Sequence, residues 1–104
     1  MLTIREESRQ GFRLIFEDEN RQRFTPGTVR YRLSDKECDT ILIDWTSLTP
    51  AESIDLTIPA SANRILNDCN RYETRVLTVQ SDFDTDDQLS EDEEYRVRNL
   101  SGFQ

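Results

Sequence analysis

The sequence predicts an all-β fold, an antiparallel sandwich or barrel. Three observations carry this. About seven short stretches have strand character, by β-branched content or an apolar alternation of period two. Turn signals separate them roughly every ten residues, the spacing of antiparallel sheets and not of βαβ units. No stretch sustains a helical period, and Ala60–Leu66 alone leaves room for one helical turn. At 104 residues the chain has the length of a single domain, residues 1–104.

Leu2–Glu6 reads as a short first strand, ended by polar sequence up to Gly11. Phe12, Leu14 and Phe16 alternate on one face of a second. Glu17–Gln22 is a polar turn, and Pro26-Gly27 is a second turn that forbids a central strand there. Val29–Leu33 is the clearest strand, with Val29, Tyr31 and Leu33 inward and Arg30 and Arg32 outward. Ile41–Trp45 is apolar on both faces, and Thr46–Pro50 turns the chain. Ile54, Leu56 and Ile58 form one face of the next strand, which Pro59 stops.

Leu66–Gln80 organises the rest. Its second half alternates, with Tyr72, Thr74, Val76 and Thr78 on one parity and Arg75, Leu77 and Val79 on the other. Tyr72 opens the strand six residues after Leu66, the placing of a tyrosine corner, in which the phenol reaches back to the preceding turn; an ordinary buried tyrosine fits the same spacing. An acidic loop over residues 81–94 follows, and Tyr95–Leu100 reads as the last strand. Phe12, Phe16, Phe24, Tyr31, Trp45 and Tyr72 supply the large apolar areas of the expected core.

The charge narrows the function. A net −8 and a pI near 4.5 disfavour duplex DNA and anionic membranes as partners. With no histidine in the sequence, the usual serine and cysteine triads lack their base and zinc-type sites lack their commonest ligand. No Gly-rich phosphate loop is present, and Glu73 reads as a surface charge paired with Arg71 or Arg75. The reading is therefore of a non-enzyme. Cys38 and Cys69 read as free, packed thiols of a protein made in the cytosol, since neither a signal peptide nor an apolar span is evident.

Two groups of residues are candidate sites. Asp82, Asp84, Asp86 and Glu93 occupy positions one, three, five and twelve of an EF-hand-like loop, with Leu89 at the aliphatic eighth position, a spacing that suits calcium. Against it, Asp87 stands where such a loop needs glycine, and strands flank the loop. The plain alternative is a solvated, mutually repelling hairpin tip. The second group is cationic: Arg30, Arg32, Arg96 and Arg98, with Arg71 or Arg75, line one sheet face as a basic stripe that fits an acidic partner or the acidic loop of a second copy. Twelve of the thirteen basic residues are arginine, the residue suited to bidentate interface contacts.

Val29-Arg-Tyr-Arg-Leu, the Leu66-to-Tyr72 spacing, Tyr72-x-x-Arg75-Val76-x-x-Val79 and Tyr95-x-Val97 together resemble the C-, F- and G-like strands of a fibronectin type III or related immunoglobulin-like module of about seven strands. The tryptophan departs from that pattern: Trp45 follows the C-like strand. Phe16-Glu-Asp-Glu-Asn-Arg-Gln-Arg-Phe-Thr-Pro, Asp44-Trp-Thr-Ser-Leu and Tyr95-Arg-Val-Arg-Asn-Leu-Ser-Gly look similar to immunoglobulin-like accessory proteins of tailed bacteriophage particles. That resemblance implies a virion component that decorates the capsid or joins head or tail proteins, with those proteins or further copies of itself as partners. A small calcium-dependent adhesion module using the acidic loop is the alternative.

Overall fold

Seven strands and one 3₁₀ turn make up the computed structural model: β1 (Leu2–Arg5), β2 (Gln10–Ile15), β3 (Val29–Asp35), β4 (Ile41–Leu48), β5 (Ser53–Ile58), the turn Ala60–Asn63, β6 (Tyr72–Ser81) and β7 (Leu89–Arg98). The structure describes residues 2–18, 20–37, 40–67, 69–83, 85–86 and 88–99. Among them there is no α-helix, and no helix long and apolar enough to cross a membrane.

The strands form two sheets. One has five strands in the order β1-β7-β6-β3-β4, and the other pairs β2 with β5. All pairings are antiparallel except β1 with β7, where Leu2–Arg5 run parallel to Tyr95–Arg98. The larger sheet is therefore mixed, a correction to the purely antiparallel expectation.

Alternation explains the core. On β3, Val29, Tyr31 and Leu33 point inward between half-buried arginines. Leu56 and Ile58 of β5, Leu77 of β6, and Tyr95 and Val97 of β7 meet them, with Ile65 and the half-buried Phe12 and Leu14. The Phe12 and Tyr95 rings lie 5.6 Å apart and join the two sheets. Burying each large apolar side chain contributes about 1.5–3 kcal/mol.

Several expectations are corrected by parity. The inward side of β6 carries Glu73, Arg75 and Leu77, so Tyr72 is exposed and makes no corner. The buried phenol is Tyr95, whose hydroxyl donates to Asn63 Oδ1 at 2.7 Å. Trp45 sits half-buried on the outer face, where Arg30 and Arg32 cover it, and does not join the inner cluster. β3 continues to Asp35 and β4 to Leu48, past the turn expected at Thr46. Cys69 is exposed, because it lies in a tight turn whose Asn67 side chain accepts its amide hydrogen; Cys38 lies outside the described residues.

The acidic segment divides. The described residues between β6 and β7 lie in a loop, while Leu89–Arg98 pair rung by rung with β6, from Ser81–Leu89 to Tyr72–Arg98. Ladder hydrogen bonds hold four acidic side chains in extended backbone because those side chains stay at the surface or find partners: Thr78 donates to Asp92 at 2.8 Å and Lys36 pairs with Glu94 at 3.0 Å.

Candidate functional site: an arginine–aromatic sheet face

The outer face of the five-stranded sheet is built by the same period-two rule as the core. Residues of β3 that alternate with Val29, Tyr31 and Leu33 are Arg30 and Arg32. The Arg30 guanidinium carbon lies 4.3 Å from the Trp45 ring centre and 4.3 Å from that of Phe83. Arg32 approaches Trp45 at 4.7 Å. Gln80, on the opposing rung of β6, accepts from Arg30 Nε at 2.8 Å. Stacking fixes these flexible side chains, and a stacked guanidinium can still donate its N–H groups to carboxylates.

A second cluster lies at the other end of the face. Arg96 stacks on Tyr72 at 4.7 Å and reaches Thr3 at 3.3 Å, with exposed Arg98 beside it on the Tyr72 rung. Arg32 faces Thr78 on β6 and Arg96 faces Thr74. Four residues along a strand is about 13 Å. The four outward arginines thus form two diagonal clusters and not the continuous stripe expected from strand order alone. The Nε atoms of Arg32 and Arg96 are buried and have no hydrogen-bond partner among the described residues.

Arg75 does not belong to this face. It is fully buried on the inner side of β6, donating to the Arg64 carbonyl at 2.7 Å and to Glu73 at 3.1 Å, with Asp35 at 3.8 Å. Its ladder partner is Asp35, which explains the meeting. Glu73, expected at the surface, is buried with it and accepts from the Leu66 and Asn67 amides and the Asn70 side chain at 2.8, 3.0 and 2.9 Å. Burial pushes the Glu73 carboxyl up, but the hydrogen bonds from Leu66, Asn70, Asn67 and Arg75 outweigh it and hold the group below its ordinary value. Glu73 performs the reach-back that Tyr72 was expected to make. The network is a structural staple.

The described members of the calcium-loop set, Asp82, Asp86 and Glu93, are divided between a loop and a strand. Glu93 sits on β7 opposite Leu77, four rungs from Leu89, a span of about 13 Å. Asp82, in the left-handed region at φ 49, accepts from the Gly27 amide at 2.6 Å. Asp86 lies in the loop, and Asp84 lies outside the described residues. The spacing that suggested one twelve-residue loop is instead split between a loop and a strand.

Comparison with known proteins gives no significant match. Neither family models, curated proteins nor solved structures align with the chain. The function therefore rests on the chain's own surface. Sequence reasoning expected Arg30, Arg32, Arg96 and Arg98 to point outward, as they do, but did not name Trp45, Phe83 and Tyr72 as the rings they stack on. The signal was present: outward arginines two apart on β3 beside an aromatic at the end of the next strand.

Proposed function

We propose that the chain is a non-catalytic interaction module that docks on an acidic protein surface through the Arg30–Arg32–Trp45–Phe83 cluster. The carrying observation is the Arg30 guanidinium held between two rings, since tryptophan, tyrosine and arginine are the side chains that dominate interface energy. The strand order β4-β3-β6-β7 over β2-β5 supports an immunoglobulin-like sandwich, with β3, β6 and β7 in the places of strands C, F and G. The phage-like segments noted above extend the reading to a structural component of a virion, contacting capsid or tail proteins. The reading gives the chain no catalytic role.

Purified particles from the source that encodes the chain test this directly. The reading expects the protein at fixed stoichiometry in the particle, and removal of the Trp45 side chain (Trp45→Ala) to weaken particle association at least tenfold. Thermal unfolding should change little, because Trp45 lies on the outer face. Absence from particles would overturn the virion reading. Undiminished association of the Trp45→Ala and Arg30→Ala variants would overturn the assignment of the face.

A further inference from the structure

A second surface lies on the opposite side of the larger sheet, at its edge. β1 covers β7 only along Tyr95–Arg98. Among the described residues, the edge of β7 from Leu89 to Glu94 has no strand beside it, and β2 pairs only with β5. Between these two edges lies a groove of about 390 Å³ with an apolar floor that includes Phe12, Leu14, Phe16, Leu77, Val79 and Leu89.

The parity of β7 makes this groove unusual. Glu91 opposes Val79 and Glu93 opposes Leu77, so both carboxylates continue the inward row of Tyr95 and Val97. Those two residues are fully buried, whereas Glu91 and Glu93 are exposed at the groove's mouth. Neither glutamate side chain has an ion-pair or hydrogen-bond partner among the described residues. Glu17 adds to the rim, and Arg13, the one cation among the described residues that line it, is engaged by Asp55 at 3.0 Å. Inward charges on an edge strand bar pairing between like edges. Two copies of this edge would set glutamates against glutamates. A strand of opposite charge meets no such barrier and gains both backbone bonds and ion pairs.

We propose that Leu89–Glu94 and the groove beside it accept, by strand addition, an extended segment of another protein in which arginine or lysine alternates with aliphatic residues. The segment's amides complete the open ladder of β7. Its aliphatic side chains cover Phe12, Leu14 and Leu89, and its cations neutralise Glu91 and Glu93. Six residues of ladder correspond to about 20 Å of extended partner. The inference does not depend on the arginine–aromatic face, which lies on the other side of the sheet.

The probe is a capped eight-residue peptide of alternating arginine and valine, titrated into the isotopically labelled full chain and followed by anisotropy and amide NMR. The expected result is saturable binding with amide shifts and slowed exchange confined to Leu89–Glu94 and the Phe12–Ile15 side of the groove. Reversal of both charges, Glu91→Lys with Glu93→Lys, should weaken it at least tenfold. Because that variant alters folding risk, a second arm leaves the protein unchanged: the same peptide N-methylated at alternate residues keeps its charge but cannot extend the ladder, and should fail to bind. Equal binding of the N-methylated peptide, shifts spread over the acidic surface or centred on Arg30 and Trp45, or no binding would each overturn the proposal. Self-association through this edge without peptide would overturn the choice of occupant.

Discussion

Glu73 is the residue on which the local arrangement around β6 turns. It joins the Leu66–Asn70 turn to Arg75, and Arg75 in turn joins β6 to Asp35 at the end of β3. A buried charge deprived of its partner is costly, so Glu73→Gln, which keeps the shape and removes the charge, should destabilise the fold by about 3 kcal/mol at neutral pH. The pH dependence has a definite sign. The folded carboxyl titrates below its unfolded value of about 4.3. Its contribution is present above that value and is lost as pH falls through the lowered folded one. Urea midpoints of the two proteins should therefore converge on acidification below about pH 4.3; parallel curves would assign the acid sensitivity to other carboxylates. Tyr95 makes a separate test. Burial, its largest influence, outweighs nearby Arg75 and the Asn63 hydrogen bond and pushes the phenol up to about 12. Tyr95→Phe leaves Asn63 Oδ1 buried without this donor and should cost about 1–2 kcal/mol in equilibrium unfolding.

At the scale of elements, the loop that follows β6 is tied down at its start. The Asp82 amide donates to the Thr28 carbonyl at 2.8 Å, and its carboxylate accepts from Gly27. This joins the loop to the Pro26-Gly27 turn and brings Phe83 over Arg30. Asp82→Ala loses the acceptor and retains the left-handed backbone at φ 49, so it should lower stability by about 1–2 kcal/mol, whereas Asp82→Asn, which tolerates that backbone and keeps an acceptor oxygen, should cost less. Since Glu93 is held on β7, millimolar calcium should leave the thermal midpoint of the wild-type chain unchanged; a calcium-dependent rise would restore the loop-site reading. The sequence made the strands legible because an alternation such as Val29-Arg-Tyr-Arg-Leu is a local signal. It misled where a long-range partner decides. The acidic run became half a strand only through its ladder with β6, and Glu73 and Arg75 turned inward because Leu77 fixes the parity of β6. The cationic face was legible as outward arginines, but its division into two clusters depends on the register between β3, β6 and β7, which no composition reveals.

At the scale of the whole molecule, the two sheets are unequal in what supports them. A two-stranded ribbon is marginal by itself in water, so β2 and β5 depend on packing against the larger sheet. β5 delivers Leu56 and Ile58 into the buried cluster, but β2 delivers the half-buried Phe12 and Leu14 beside an open groove. Local opening should therefore begin at β2. Native-state hydrogen exchange is expected to rank the ladder amides of β6 as the slowest, those of β5 as intermediate and those of β2 as the fastest among strands long enough to compare. The ordering follows from coverage: β6 has a strand on each side and a sheet face beneath it, β5 has one neighbour and a buried inner side, and β2 has one neighbour and a half-filled groove. Exchange of β2 as slow as that of β6 would mean that the two sheets open as one cooperative unit and that the groove carries no local weakness.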